Sequence, residues 1–191
     1  MILGLISMMK PMESSILPGK KILLDGDVIS HFIKGGLFNI LNILYKGRLI
    51  ILDIVRAEIA QRKGWDTIIE ELINRYSIQE ITFPQESKYT LEYAHLISHR
   101  GLGLGKGESA CMVYCRFNDD ILASSNLKDI SRYCKLHNIG YITTADIIYE
   151  AYVANIFSES DGDAFIANLH AKSSRFPYSS MRELINARPQ L

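Results

Sequence analysis

The stretch KILLDGDVISHF, residues 21–32, decides the fold class of this chain. Its apolar run Ile22–Leu24 is typical of a buried parallel strand, and it stops at an Asp-Gly-Asp turn. Apolar side chains then continue at helical spacing. The stretch predicts a core strand, a tight acidic turn and a helix, so that Asp25 lies at the carboxyl end of the strand. Ligands bind at that end in open α/β sheets.

The acidic turn also has a purely structural interpretation. Asp27 is a good helix N-cap, and Asp25-Gly26 is ordinary turn chemistry. Other motifs in the chain have to decide between the two interpretations.

Length and composition place limits on the class of protein. A chain of 191 residues with 48% apolar residues predicts one main domain with extensions. The 21 basic and 21 acidic residues balance, which excludes a generally cationic nucleic-acid-binding surface. Three cysteines favour a reducing compartment. The apolar start MILGLISMMK lacks the basic residues of a leader, and no uncharged run is long enough to span a membrane. We expect a cytoplasmic protein.

Strand and helix patterns alternate along the chain, which predicts a parallel sheet covered on both faces. Four further strands are expected at residues 48–52, 77–83, 120–124 and 140–143. The expected helices include residues 65–76 and 163–171. The expected domains are an amino-terminal arm (1–20), the α/β domain (21–157) and a helical extension packed on that domain (158–191). Within the arm, a Pro-, Ser- and Gly-containing segment precedes the first strand.

Four carboxylates occupy comparable positions in this arrangement. Asp25 ends the first strand, Glu58 lies on the helix after the second, Glu108 opens the helix before the fourth, and Asp129 lies just after the fourth. We expect them to converge at one edge of the sheet, where cations or protons would have to relieve their repulsion. Oxygen ligands with few histidines favour Mg²⁺ or Mn²⁺ over zinc.

The motifs that carry these acids resemble those of a known family. ILLDGDVIS resembles the opening motif of PIN-domain nucleases, IVRAEIA their second motif and GKGESAC the glycine-glutamate motif of a subgroup; SSNLKDI resembles a motif of VapC-like toxins. The resemblance covers about residues 21–148. Three differences from the usual motifs are Gly26-Asp27 for Thr-Asn, Ser124-Ser125 for Thr-Arg, and Ile130 for Phe.

The resemblance implies a three-layer α/β/α sandwich with about five parallel strands and a divalent-metal-dependent endoribonuclease. The four acids would be catalytic residues and metal ligands. It further implies an RNA substrate, a homodimer and, for a toxin, a small antitoxin partner. Supporting and substrate-binding residues are also expected. The supporting polar residues are Asn126, Ser124 and Asp27, and the cations available to phosphates are Arg100, Lys106 and Lys128.

Each acid also has a structural interpretation. Glu58 has the spacing to pair with Arg62 on the same helix. Glu108 is a favourable charge at a helix N-terminus, and Asn126 with Asp129 has the spacing of a capping pair. The other acids near the fourth strand, at positions 119 and 120, precede it and should lie away from the pocket.

Two other site types are weaker. The loop GLGLGKG at 101–107 satisfies neither the G-x-G-x-x-G nor the P-loop pattern, so we interpret it as a flexible rim. A zinc site from Cys111, Cys115, Cys134 and His137 is less favoured than ordinary buried cysteines, because zinc ligands usually have tighter spacing.

Two alternative functions remain. ILLDGDV also fits the D-x-D-x-V opening of haloacid-dehalogenase-like phosphatases, with Asp25 as nucleophile and Asp27 as general acid. In that case Asp27→Ala should abolish activity, whereas a PIN nuclease should keep much of it. The late lysine and acids that such a phosphatase needs are poorly matched by Lys135, Asp161 and Asp163. The third hypothesis is a degenerate PIN module that acts as a binding protein.

Overall fold

The computed structural model describes residues 19–98 and 104–188. Its centre is a five-stranded, entirely parallel sheet with the order β3-β2-β1-β4-β5. The strands are β1 (Ile22–Leu24), β2 (Leu49–Leu52), β3 (Gln79–Ile81), β4 (Ile121–Ala123) and β5 (Tyr141–Ile142). All five predicted strands are therefore present, each shorter than its apolar run. The buried strand read from residues 21–32 lies at the centre of the sheet.

Ten helices connect and follow these strands in the described ranges. They are α1 (Gly26–Gly35), α2 (Phe38–Tyr45), α3 (Asp53–Ala60), α4 (Trp65–Tyr76), α5 (Ser87–Ile97), α6 (Lys106–Asn118), α7 (Leu127–His137), α8 (Thr144–Val153), α9 (Glu159–Ala171) and α10 (Met181–Asn186). The first connections lead to β2 and β3 on one side of β1, and the later ones to β4 and β5 on the other. Right-handed crossovers then place helices on both faces of the sheet. The predicted three-layer α/β/α sandwich is confirmed.

The central strand sets the position of the acidic turn. Ile22, Leu23 and Leu24 are almost completely buried between β2 and β4. Leu24 aligns with Ala123 of β4, so both strands end at the same level of the sheet. The residues that follow β1 and β4 therefore meet at one edge, as the parallel arrangement predicts.

Helix α9 of the carboxyl-terminal extension packs on the first crossover, and α10 packs on α9 and α8. Phe165 of α9 lies with its ring centroid 5.3 Å from that of Phe32 on α1. Gly35 leaves room for the same ring, because a Cβ there would lie 2.2 Å from Phe165. The helix predicted at 163–171 begins earlier, at Glu159, because Ser158 forms a capping box with Asp161. The predicted domain boundaries remain predictions, and residues 1–18 of the predicted arm lie outside the described residues.

No single helix in the described ranges is long and apolar enough to cross a membrane, although the bent pair α1 and α2 together meets the length and composition criteria.

Candidate active site at the carboxyl edge of the sheet

Asp25 lies directly after β1 and is 6% exposed. It is the N-cap of α1, with its Oδ1 accepting a hydrogen bond from the Gly26 N–H at 2.7 Å. The interpretation of Asp27 as the cap was wrong, because the helix begins at Gly26, two residues earlier than that assignment requires. Burial, followed by the charge of Asp27, raises the pKa of Asp25 to about 7; a hydrogen bond from the Ser124 hydroxyl acts in the opposite direction.

Asp27 connects the ends of the two central strands. Its Oδ2 accepts the Ser125 N–H at 2.8 Å, whereas its buried Oδ1 has no hydrogen-bond partner among the described residues. Burial raises the pKa of this carboxyl as well. The sequence assigned Asp27 only a supporting role. The structure places it among the acids, where it raises the pKa values of both Asp25 and Glu108.

Glu108 lies in the first turn of α6 and is 8% exposed. Its Oε1 is buried and has no hydrogen-bond partner in the described chain. Burial raises the pKa of Glu108 to about 8, with further contributions from the charges of Asp25, Asp129 and Asp27. A hydrogen bond with Asn126 acts in the opposite direction. A favourable helix-dipole interaction alone would not explain a raised pKa.

Glu58 is held against the N-terminus of α6. Its Oε2 accepts the Gly107 N–H at 3.1 Å, and a Cβ on residue 107 would lie 2.6 Å from this oxygen. A glycine is therefore needed for this close approach. Arg62 instead donates to Ser30 and lies over Trp65. The alternative pairing of Glu58 with Arg62 is thus not formed, and the charge of Glu58 contributes to the raised pKa of Asp25.

Asp129 lies in the first turn of α7 and accepts a hydrogen bond from the Asn126 side-chain amide at 2.8 Å. The two side chains are therefore paired, but Asn126 makes no side-chain hydrogen bond to the N-terminus of α7, so the predicted capping pair is not formed. Asp129 also contributes to the raised pKa of Glu108. Asn126 contacts both acids, so its side chain links Asp129 to the rest of the cluster. We call Asp25, Asp27, Glu58, Glu108 and Asp129 the acidic cluster.

The acids at the opposite edge have cationic or backbone partners. Asp119 forms an ion pair with Lys20 at 2.6 Å, and Asp120 accepts the Lys21 N–H at 2.9 Å. Both acids precede β4 and lie away from the acidic cluster, in agreement with the sequence analysis.

The predicted phosphate-binding cations are placed as follows. Lys106 is exposed at the start of α6, next to the glycine that holds Glu58. Lys128 is exposed beside Asp129 and, with Arg132, lines a groove of about 570 Å³ that also includes residues of α5. Arg100 lies outside the described residues. Contact of these cations with a substrate remains a prediction.

A hydrogen-bond network behind Asp27 was not predicted. The Ser125 hydroxyl donates to Thr144 Oγ1 at 2.9 Å, and His31 Nδ1 lies 2.9 Å from the same oxygen. Burial lowers the pKa of His31 to about 4, so the ring is neutral at pH 7. Sequence spacing gives no signal of this network, because 113 positions separate its two ends.

The donor set fits a hard divalent cation by its chemistry. Carboxylate oxygens are preferred ligands of Mg²⁺ and Mn²⁺, and two of these oxygens are buried without a hydrogen-bond partner. As the side chains stand, no group of three or more His, Cys, Asp or Glu residues in the described ranges has the arrangement of a metal site. The carboxylates interact through their charges, and coordination would require some of them to rotate.

The less favoured site types receive no support. Cys111, Cys115 and Cys134 are free and buried, as expected for ordinary core cysteines. The late acids of the phosphatase hypothesis have structural partners: Asp161 caps α9, and Asp163 accepts the N–H of Met181.

Comparisons with known proteins identify similar folds. No family model matches the chain, and no curated protein matches it. A VapBC2 structure from Rickettsia felis, bound to a DNA fragment from its promoter, is 21% identical, with a TM-score of 0.48. A VapBC-1 structure from nontypeable Haemophilus influenzae is 15% identical, with a TM-score of 0.47. Each match covers 64% of this chain and 97% of the other. The α/β/α sandwich of this chain is shown by its own parallel sheet and by the helices that connect the strands.

Proposed function

We propose that this protein is a divalent-metal-dependent endoribonuclease. The observation that carries the proposal is the acidic cluster itself. Five carboxylates from four separate parts of the sequence lie at the carboxyl edge of the sheet, and burial raises the pKa values of three of them. A purely structural role would favour partners such as those of Asp119 and Asp120. An uncompensated cluster is instead typical of a site that takes up positive charge.

Asp25, Glu58, Glu108 and Asp129 would hold Mg²⁺ or Mn²⁺. A bound divalent cation would neutralise charge on the phosphate and lower the pKa of a water molecule for attack on phosphorus. The chain's own residues position the ligands. Ser124 donates to Asp25, the Gly107 N–H holds Glu58, and Asn126 contacts Glu108 and Asp129.

Asp27 adds a fifth acid to this arrangement. Its Oδ2 accepts a hydrogen bond from the Ser125 N–H. This bond fixes the orientation of the carboxylate and therefore of the other oxygen, Oδ1, which has no hydrogen-bond partner among the described residues. Asp27→Ala should therefore also slow a nuclease. That variant would not separate a nuclease from a phosphatase, contrary to the expectation from the sequence. Hydrolysis of para-nitrophenyl phosphate, compared with cleavage of RNA, separates the two activities directly.

The substrate assignment to RNA follows from the resemblance and from the exposed cations Lys106 and Lys128 beside the cluster. The test is incubation with a mixed RNA pool and Mn²⁺, with a chelator control and mapping of cut positions by sequencing. Asp25→Asn and Glu58→Gln should abolish metal-dependent cleavage while Asp119→Asn cuts normally. Cleavage by both cluster variants at the wild-type rate would refute the proposal.

A toxin role, with an antitoxin partner and a homodimeric state, is the finer form of this proposal. It is supported by the resemblance of SSNLKDI to the VapC-like motif. Induced expression in a bacterial host should arrest growth with the wild-type chain and not with Asp25→Asn. Coexpression of a short adjacent gene should relieve the arrest if that gene encodes the antitoxin.

A binding protein without activity is the remaining alternative. Calorimetric titration with Mn²⁺ distinguishes it, because a scaffold should give no saturable heat and should respond in the same way after Asp25→Asn.

A further inference from the structure

A second concave feature lies at the carboxyl ends of β4 and β5. It is a groove of about 670 Å³ bordered by the loop after β4, by β5 and the start of α8, and by residues 175–178 and 187–188. None of its lining residues belongs to the acidic cluster. The part of the chain that follows β5 thus provides more than packing: it forms one wall of this groove.

Ser125 links the groove to the acidic cluster, because it lines the groove and hydrogen-bonds Asp27. The N–H of Ser125 donates to Asp27, its hydroxyl donates to Thr144 at the start of α8, and Ser125 also lines the groove. Because β1, β4 and β5 are neighbours, the two features are separated by one to two strand spacings, roughly 5–10 Å. A strand of nucleic acid with its phosphate at the cluster would therefore extend into this groove.

Three tyrosines line the groove. Tyr141 on the edge strand β5 is 41% exposed, and Tyr149 and Tyr178 are half-buried. Tyr178 is braced by Phe176, whose ring packs edge-on against it at 5.9 Å and against His31 at 6.4 Å. Exposed aromatic faces in a groove are the surfaces on which proteins stack unpaired bases.

The groove also contains a cation that is available to a ligand. Arg188 is paired with Asp146 and lies over the Tyr149 ring at 5.6 Å, so its charge is compensated. Arg175 is exposed and forms no ion pair with any other residue of the described ranges. The groove therefore carries a positive charge at Arg175 that is complementary to a phosphate. An uncharged or basic peptide would not neutralise this charge.

We propose that this groove binds the unpaired nucleotide next to the scissile phosphodiester, with the base stacked on Tyr141 and a phosphate at Arg175. This inference rests on the proposed ribonuclease function and assigns the binding of the flanking nucleotide to residues of β5 and of the chain after α9. Duplex RNA would present no free base to the tyrosine.

The test combines a protein variant with a change in the substrate. The rate of Mn²⁺-dependent cleavage is measured on a single-stranded RNA and on the same RNA with the base removed at the flanking nucleotide. In the wild-type protein, base removal should slow cleavage about tenfold. Tyr141→Ala should be about tenfold slower on the intact RNA and insensitive to base removal, whereas Tyr141→Phe should behave like the wild type.

Arg175→Ala should weaken cleavage of both RNAs alike, because it removes a phosphate contact. Arg182→Ala is the matched control, since Arg182 is an exposed arginine outside the groove that is paired with Glu159. If the effects of Tyr141→Ala and base removal multiply, the two groups do not interact. The inference is then overturned although the nuclease proposal stands.

A binding measurement separates this inference from the nuclease proposal. Fluorescence anisotropy of labelled single-stranded RNA is measured on Asp25→Asn protein with a chelator present. Weaker RNA binding after Tyr141→Ala supports the inference even if no RNA is cut, provided that this difference from the unsubstituted tyrosine disappears when the base is absent. The inference is overturned if Tyr141→Ala leaves RNA binding and cleavage unchanged. It is also overturned if a partner peptide occupies the groove instead of RNA.

Discussion

At the amino edge of the sheet, Asp119 and Asp120 have partners from Lys20 and Lys21; at the carboxyl edge, the acidic cluster has none that is cationic in the described ranges. The same residue type thus has two uses in one sheet. The amino-edge contacts hold the chain ahead of β1 against the start of β4. The carboxyl-edge acids keep buried oxygens without partners, which is unfavourable for folding alone and indicates a role in binding.

His31, which contacts Thr144 in the network behind Asp27, does not compensate these charges. His31 is 7% exposed, and its lowered pKa keeps it neutral. Lys34, whose charge contributes to that lowering, donates to Ser174 on the other side. The contrast between the two edges can therefore be tested residue by residue.

The largest expected effect is on catalysis. Asp25→Asn should lower metal-dependent RNA cleavage roughly 100-fold or more, because it removes a central anionic ligand. Asp119→Asn should change the rate by less than about twofold, since an exposed ion pair contributes little. Asn also tolerates the positive φ of 55° at position 119. Single-turnover rates check both; equal losses in the two variants would remove the distinction between the edges.

Metal binding should stabilise only proteins with an intact cluster. At about 100 times its dissociation constant, Mn²⁺ should raise the free energy of unfolding of the wild type by about 2.7 kcal/mol. The increase should be absent in Asp25→Asn and unchanged in Asp119→Asn. Urea denaturation with Mn²⁺ and with chelator measures it. The same increase in Asp25→Asn would place the cation elsewhere.

Lowering the pH should destabilise the protein, because His31 is neutral in the folded state. Between pH 6.5 and about 4, His31 is protonated in the unfolded chain and neutral in the folded protein. The free energy of unfolding therefore decreases as the pH is lowered through this range. His31→Gln should lose about 2 kcal/mol less than the wild type between pH 7 and pH 4.5. Exposed His95→Gln serves as the control. Parallel pH profiles for all three proteins would contradict the burial of His31.

Removing a charge from the cluster should stabilise the metal-free protein. Glu108→Gln keeps the shape of the side chain and removes the cost of burying an ionisable group beside Asp25, so the free energy of unfolding at pH 7.5 should rise by about 1 kcal/mol. The comparison is made in chelator by urea denaturation. A loss of stability would instead show that Glu108 chiefly serves the N-terminus of α6.

The smallest effect is expected at the amino edge. Asp119→Asn should change the free energy of unfolding by less than about 0.5 kcal/mol, because its pair with Lys20 is exposed to water and to salt. The same denaturation series measures it. A larger loss would mean that this edge, too, depends on its charges.

Local patterns were sufficient for the strands and for most helices. The apolar runs predicted all five strands, and the bounds of α4 agree with the predicted 65–76. Helix ends were less accurate where capping decided them. Asp25 rather than Asp27 caps α1, and Ser158 starts α9 before the predicted residue. Capping depends on single side-chain hydrogen bonds, which periodicity does not report.

The candidate site was predicted in part. The positions of Asp25, Glu58, Glu108 and Asp129 after or between parallel strands predicted the edge at which they meet. Asp27 was predicted only as a supporting residue, and its hydrogen bond with the backbone of Ser125, 98 positions away, was not predicted. The tyrosine-lined groove was also missed, since no local motif joins β5 to residues 175–178.

By itself, the sequence determined the parallel α/β architecture and the edge that carries the acids, because strand hydrophobicity and the residue after a strand are local properties. Only the tertiary structure decided which acids are paired and which remain uncompensated, and how the chain after β5 borders them. Burial, charge pairing and groove shape depend on residues far apart in the chain, so they exist only once the chain has folded.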